Sequence, residues 1–124
     1  LILHDVYIAP VCRCVPPQNK PLPGEIKNCR PYLEEEIRIL QPKVFVVLGH
    51  IAFATLLKII DMGKNYTSPR SKSFSFSHNG VHPLDEKRWL VTAYHPSRQN
   101  TQTGRLTEEM FDDTWKIVKQ LRSL

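Results

Sequence analysis

The run K-V-F-V-V-L-G, residues 43–49, is the stretch that decides the fold. It is a continuous apolar segment of strand length, and such runs are typical of strands buried on both faces of a parallel sheet. Gly49 then turns the chain into residues 51–62, an alanine- and leucine-bearing helical segment that Gly63 closes. A strand, a tight turn and a helix make half of an α/β unit, so the sequence predicts an α/β fold.

Further elements are predicted on the N-terminal side of this unit. Residues 6–13, V-Y-I-A-P-V-C-R, predict a strand with Pro10 at an edge or bulge, because proline cannot donate to a strand ladder. Four prolines make residues 15–24 a loop. From Glu25 onward apolar residues recur at helical spacing, which predicts an amphipathic helix that kinks or restarts at Pro31.

The C-terminal side alternates in the same way between strands and a helix. Residues 64–72 are polar and basic and predict an exposed loop, whereas residues 73–81, S-F-S-F-S-H-N-G-V, alternate with period two and end in Asn-Gly turn chemistry. Residues 89–94, W-L-V-T-A-Y, predict another strand. A closing amphipathic helix is predicted over residues 107–121, with Thr107 as its N-cap.

Composition limits the possible functions. A chain of 124 residues makes about one domain. The formal net charge of +5 favours an anionic partner, most commonly nucleic acid, although an ordinary basic surface explains the charge as well. No window approaches the roughly 20 apolar residues of a spanning helix, and no secretory signal is visible, so we expect a soluble protein without a membrane partner. Because the sequence begins at Leu1, we expect a processed or incomplete chain.

The three cysteines, Cys12, Cys14 and Cys29, do not fit the even-numbered framework of a secreted disulfide protein. Reduced thiols or metal ligands explain them better. For Cys14 and Cys29 three interpretations stay open: a disulfide, two of several metal ligands, or inert small apolar residues. Cys12 would lie within the predicted strand, where burial is ordinary.

Candidate functional residues follow the predicted strands at their carboxyl ends, where ligands bind in open α/β sheets. Arg13 and Cys14 lie at the end of the first strand, Gly49 and His50 at the end of the second, and His95 at the end of the third. We therefore expect these residues to converge at one edge of the sheet.

His95 is the candidate catalytic residue. A histidine in this place can donate a hydrogen bond to an oxygen that gains negative charge in a transition state, a contribution of about 2.7–4 kcal/mol for one preorganised donor, and Pro96 fixes its presentation. The simpler interpretation is that His95 caps a strand ahead of an ordinary loop. The residues that follow offer groups of the kind that contact nucleic-acid phosphates: Ser97, Arg98, Gln99 and Asn100.

Three segments together resemble one family, the iron-sulfur uracil-DNA glycosylases. They are residues 6–36, residues 44–52 (V-F-V-V-L-G-H-I-A) and above all residues 94–107, Y-H-P-S-R-Q-N-T-Q-T-G-R-L-T. The H-P-S-x-x-N-x-x-T-G-R-L-T form is most similar to the type-five, B-type branch. The resemblance implies a three-layer α/β/α sandwich with a mainly parallel central sheet that lacks its first strand, and it makes residues 1–124 the C-terminal part of a single domain.

The implied activity is base excision. Such an enzyme flips uracil, or another deaminated base, out of the DNA and hydrolyses its N-glycosidic bond, the first step of base excision repair. By this resemblance His95 stabilises the anionic uracil, and Pro96 with Ser97, Arg98, Gln99 and Asn100 forms a loop that presses into the minor groove. The expected partner is DNA containing uracil or other deaminated bases. The full-length protein is expected to be a monomer in the cytoplasm, associated with the nucleoid.

The resemblance also assigns the cysteines and part of a substrate pocket. Cys14 and Cys29 match two of the four cysteines that hold a 4Fe-4S cluster in the family, and Cys12 is left to packing. Phe76 and His78, in F-S-H-N-G-V-H, match a segment near the active site and are weaker candidates for the substrate pocket.

Two departures from the family pattern qualify these expectations. Pro10 stands where related branches place a uracil-reading asparagine, which predicts a broader range of bases. The first cysteine pair, a glycine-rich loop, the stacking aromatic and the acidic residue that handles water all precede the matched region. We therefore expect the C-terminal half or two-thirds of a glycosylase, with a non-catalytic DNA-binding remnant or a purely structural α/β domain with a disulfide as the alternatives.

Overall fold

The computed structural model describes residues 4–11, 23–62 and 74–124. The chain divides into two compact units, Leu1–Gln41 and Pro42–Leu124. The predicted loop over residues 64–72, the helix end at Gly63 and most of the loop over residues 15–24 lie outside the described residues.

In the first unit, helix α1 (Pro23–Leu40) buries Cys29 and Ile37, as the helical spacing of the apolar residues predicts. The predicted restart at Pro31 is wrong, since the helix runs through this residue without a break. Proline removes only one amide donor from the hydrogen bonds of the helix. An ion pair between Arg30 and Glu34, 3.4 Å apart, spans the position of Pro31.

The strand predicted over residues 6–13 is also wrong for residues 6–11, which form no strand. Val6, Tyr7 and Ile8 are 44%, 59% and 71% exposed. A β-branched, aromatic sequence suits a strand only where a second strand pairs with it, and none of the described strands does so here. The remaining predicted strand residues lie outside the described ranges.

The second unit contains a three-stranded sheet of β1 (Val44–Leu48), β2 (Gly80–Pro83) and β3 (Trp89–Ala93) in the order β1-β3-β2. Strand β1 pairs with β3 in parallel, and β2 pairs with β3 antiparallel. The described sheet is therefore mixed rather than mainly parallel, and its α/β class is as predicted. The central position of β3 explains why Leu90 and Val91 are fully buried.

The segment before β2 differs from its prediction. The alternating residues 74–77 form no strand. The turn at Asn79, whose φ is a left-handed 59°, comes before β2 rather than after a strand. The alternation instead reports burial, with the phenylalanines half-buried and the serines exposed. Gly80 is required where the turn meets β3, since a Cβ there would lie 2.6 Å from Oγ1 of Thr92.

Three helices complete this unit: α2 (His50–Met62), α3 (Arg98–Gln102) and α4 (Glu108–Arg122). Helix α2 packs against β1, and α4 packs against β3 and β1. The predicted N-cap is confirmed, because Oγ1 of Thr107 accepts a hydrogen bond from the amide of Met110 at 3.1 Å. No helix within the three described ranges is long and apolar enough to cross a membrane.

Candidate active site

The site lies where the parallel strands β1 and β3 end side by side. Leu48 and Ala93 are the last paired residues, and the amide of Gly49 then donates to the carbonyl of Ala93 at 2.9 Å. Because both strands run in the same direction, the residues that follow them leave the same edge of the sheet. The predicted convergence of Gly49, His50 and His95 is confirmed by this pairing.

Gly49 allows the two strand ends to approach each other closely. Its φ is +92°, and a Cβ placed on it would lie 3.2 Å from Cβ of His95. A side chain at this position would meet both backbone strain and the histidine. The glycine also turns the chain directly into α2, which begins at His50.

A cleft of about 380 Å³ opens at this edge of the sheet. Its volume falls within the roughly 300–1,000 Å³ of small-molecule sites in proteins. The lining combines two histidines and an arginine with aromatic and amide groups, and none of the described residues that line it is a carboxylate: Gly49, His50, Phe76, Ser77, Tyr94, His95, Asn100 and Arg105.

Aromatic rings form one wall of the cleft. The rings of His50 and Phe76 lie 4.0 Å apart between centroids, and Phe76 lies 6.3 Å from Tyr94. The guanidinium carbon of Arg105 is 5.7 Å from the centre of the Tyr94 ring, within cation-π range. Flat faces of this kind can stack on a planar base, and a cation beside them favours negative charge.

The turn after β3 is held rigidly by its own polar groups. The amide of Ser97 donates to the carbonyl of His95 at 2.7 Å, and the hydroxyl of Ser97 accepts from the amide of Asn100 at 3.2 Å. The side-chain amide of Asn100 donates to the same His95 carbonyl at 2.9 Å. Ser97 thereby caps α3, a short helix in the segment that the sequence predicted as a loop.

This geometry separates the roles available to the residues after His95. The side chain of Asn100 is engaged within the turn, whereas Arg98 and Gln99 are exposed. Pro96 is exposed as well, between the catalytic candidate and the helix. The structure thus brings the predicted DNA-binding residues together on one exposed turn beside the cleft.

Arg105 is a lining residue that the sequence analysis missed. The amide of Leu106 donates to the carbonyl of Asn100 at 3.0 Å, and Leu106 is only 3% exposed, so this anchor folds the chain back toward the cleft. Gly104, with φ +75°, allows the reversal. The Gly-Arg pair in T-G-R-L-T is the sequence signal that could have indicated this arginine.

The two weaker pocket candidates are placed differently. Phe76 lines the cleft, whereas His78 does not. The ring of His78 stacks on Tyr94 with centroids 4.9 Å apart, and both of its nitrogens contact backbone groups.

Of the cysteines, only Cys29 is described, as a buried residue of α1 that is 6% exposed. Cys12, Arg13 and Cys14 lie outside the described residues. Within the described ranges, no three His, Cys, Asp or Glu side chains form a group that could hold a metal ion.

The α/β class of the fold is consistent with the family to which the sequence belongs. The pattern of the Uracil DNA glycosylase superfamily matches residues 1–119, and the chain is a member of that superfamily.

Within the superfamily, the type-five branch shows the stronger similarity. The chain is 41% identical to the Type-5 uracil-DNA glycosylase of Thermus thermophilus, over 100% of this chain and 54% of that protein. It is 36% identical to the Type-5 uracil-DNA glycosylase of Pyrobaculum aerophilum, over 84% of this chain and 42% of the relative. A Type-4 uracil-DNA glycosylase from Sulfurisphaera tokodaii is 34% identical over 86% of this chain and 48% of its own length. The chain thus spans about half the length of these relatives.

Proposed function

We propose that the full-length protein containing this chain is a DNA repair glycosylase that removes uracil from DNA. The observation that carries the proposal is the placement of His95 at the shared carboxyl ends of β1 and β3, in a cleft with an aromatic wall. Membership of the superfamily and the names of its relatives support the choice of uracil as the base.

The proposed reaction needs the base outside the duplex, because the glycosidic bond cannot be reached within the stack. The bond between C1′ of the sugar and N1 of uracil breaks, and its electron pair leaves with the base. Water adds to C1′ and gives up one proton, and the uracil anion takes up one proton, so the products are an abasic sugar and neutral uracil. Negative charge grows on the leaving base, and a hydrogen bond from the imidazole of His95 to a uracil carbonyl oxygen becomes stronger as it grows.

The rest of the cleft supports binding rather than water activation. Phe76 and His50 offer ring faces on which a flipped base can stack, and the guanidinium of Arg105 favours an anion. No carboxylate lines the cleft among the described residues, so the group that handles water is expected elsewhere in the full-length protein.

A single-turnover assay tests the proposal. The full-length protein is incubated with a duplex that carries one uracil, and alkaline cleavage then reveals abasic sites; a duplex with thymine at that position is the control. We expect uracil-dependent strand cleavage. Salt-sensitive DNA binding without any cleavage would contradict the glycosylase proposal and identify a non-catalytic DNA-binding protein. The absence of both cleavage and DNA binding would rule out both functions.

The range of bases is proposed to extend beyond uracil. Pro10 is an exposed residue without a side-chain amide that could read the edge of a base. The same assay with hypoxanthine, the deaminated form of adenine, is expected to give abasic sites as well. Excision of uracil alone, with hypoxanthine intact, would contradict the broader range.

The exposed turn over Pro96, Ser97, Arg98, Gln99 and Asn100 is the proposed DNA contact. Replacing Arg98 by alanine is expected to weaken binding several-fold and to reduce the salt slope of the binding constant by about 1, because one phosphate contact is lost. Fluorescence anisotropy at several salt concentrations measures both quantities.

Lys116→Ala is the matched control for this charge change. Lys116 pairs with Asp113 on α4 at 3.4 Å, and its removal also lowers the net charge by one. An equal loss of affinity in both variants would show that only the overall charge matters and would remove Arg98 from the DNA contact.

A 4Fe-4S cluster is the proposed cofactor, with Cys14 and Cys29 as two of its four thiolate ligands. The buried thiol of Cys29 suits such a ligand, while the other ligands are expected outside the described residues. A bound cluster would cross-link the segments that carry its cysteines. Iron and labile sulfide in the anaerobically purified protein, lost in Cys29→Ala, would support the assignment; a colourless, iron-free wild type would refute it.

A further inference from the structure

We infer that His78 is a positioning residue that fixes the end of β3, and with it the direction in which His95 is presented. The inference rests on the proposed glycosylase function. His78 does not line the cleft, although its ring stacks on Tyr94, which does. Its effect would pass through the backbone of Tyr94, the residue before His95.

The partners of its ring define one protonation state. Nδ1 of His78 accepts a hydrogen bond from the amide of Tyr94 at 3.1 Å, and Nε2 lies 3.1 Å from the carbonyl oxygen of Met110. An amide can only donate and a carbonyl can only accept. These partners fit the tautomer that carries its proton on Nε2, which donates to the carbonyl of Met110.

The position of this ring follows from the strand register. Gly80 is paired with Thr92, so continuing the antiparallel pairing would place His78 opposite Tyr94. The left-handed φ of Asn79 turns the backbone away and ends the ladder at Gly80. The imidazole then supplies the acceptor that a strand backbone would otherwise provide.

The other end of the ring is fixed to helix α4. Met110 lies in the first turn of α4, and its carbonyl accepts the hydrogen bond from Nε2 of His78. The adjacent Asn79 accepts a hydrogen bond from the hydroxyl of Thr114, a fully buried residue of the same helix. Two neighbouring side chains thus hold the turn to α4, and one of them extends to the end of β3.

The consequence concerns the aim of His95. The carbonyl of His95 accepts hydrogen bonds from Ser97 and Asn100, which follow it in the chain. The backbone amide of Tyr94, the residue before His95, donates to His78. Without the bond to Nδ1, the end of β3 has one anchor fewer on this side. A displacement of about 1 Å in a catalytic group can cost roughly a hundredfold in rate.

Three substitutions in the full-length protein separate the two hydrogen bonds. In His78→Asn, the side-chain oxygen can replace Nδ1 as acceptor for Tyr94, whereas in His78→Gln the side-chain nitrogen can replace Nε2 as donor to Met110. His78→Leu removes both. His82→Gln is the control. The ring of His82 bonds to the carbonyl of Ser75 at 3.2 Å and stacks on Phe74, and His82 does not line the cleft.

We expect the excision rate at saturating enzyme to fall by about 10- to 100-fold in His78→Gln and His78→Leu, and by less than about threefold in His78→Asn and His82→Gln. DNA affinity is expected to change by less than about threefold in all four, since no proposed DNA contact is altered. A general loss of stability would not spare the excision rate in His78→Asn alone among the His78 variants, and it would not lower the rate while leaving DNA affinity unchanged. Equal rates in the asparagine and glutamine variants would overturn the inference.

Nuclear magnetic resonance tests the geometry independently of catalysis. In the wild type, the ring nitrogens of His78 should show a proton on Nε2 and an acceptor at Nδ1, and the amide proton of Tyr94 should shift in His78→Gln but far less in His78→Asn. The opposite tautomer in the wild type would overturn the inference even if a variant failed to fold, and an unchanged Tyr94 amide in a folded His78→Gln variant would overturn it as well. If the wild type shows this geometry but excises no base, the proposed function fails while the positional role of His78 stands.

Discussion

Replacing His95 by alanine in the full-length protein is expected to slow the proposed excision of uracil by about 10²–10³-fold, the cost of removing one preorganised donor to a developing negative charge. The affinity for uracil-containing DNA should change little, because the imidazole meets the charge mainly in the transition state. The rate is measured in single turnover with enzyme in excess, and the affinity by anisotropy with a duplex that resists cleavage.

A second substitution at His95 keeps a hydrogen-bond donor at this position. His95→Gln retains an N–H group at a similar reach and is expected to recover part of the lost rate, whereas alanine leaves only solvent at that position. His4→Ala, at an exposed histidine of the first unit, controls for the loss of an imidazole elsewhere. Equal losses of rate and affinity in His95→Ala would argue for a role in DNA binding and against transition-state stabilisation.

Replacing Gly49 by alanine is the second change with a large expected effect. A non-glycine residue at φ +92° carries a strain of about 1–2 kcal/mol, and the new methyl group would press on Cβ of His95 at 3.2 Å. We expect a lower melting temperature and a loss of excision of at least about tenfold, since His95 must move away from the strand end.

Gly104→Ala separates the two causes of this loss. Gly104 also has a positive φ, +75°, but a Cβ there would meet nothing within 4 Å. Its substitution should therefore cost a similar amount of stability without displacing His95. Thermal unfolding and single-turnover excision are compared across both variants, and full activity in Gly49→Ala would show that the contact with His95 is unimportant.

The elements that local sequence patterns specify were predicted well. The apolar run of β1, the turn at Gly49 and the N-cap at Thr107 each depend on neighbouring residues, and each is present. The position of His95 after β3 follows from the same local reasoning.

The missed features depend on pairing between distant residues. Residues 6–11 have strand-forming side chains but no described partner strand, and residues 74–77 alternate without joining a ladder. The antiparallel pairing of β2, which makes the sheet mixed, is likewise a property of two segments rather than of one. Periodicity reports which side chains are buried, and it does not identify the strand that receives them.

The difference between local patterns and contacts of distant segments also explains which parts of the site were predicted. The sequence indicated His95 and the polar run after it, but the hydrogen bond from Asn100 back to the carbonyl of His95 and the placement of Arg105 depend on how the chain returns after α3. The contacts of His78 depend on α4, which follows much later in the sequence.

The parallel pairing of β1 with β3 has a consequence for the order in which the protein folds. Strands β2 and β3 are close in sequence and can pair early as a hairpin, whereas β1 must close a long loop that contains α2 before Val44 meets Trp89. Gly49 and His95 come together only in that later step. A folding intermediate with the hairpin alone would therefore have no cleft. In the full-length protein, the appearance of the proposed excision activity during refolding would report the slow closure of the loop rather than the first formation of structure.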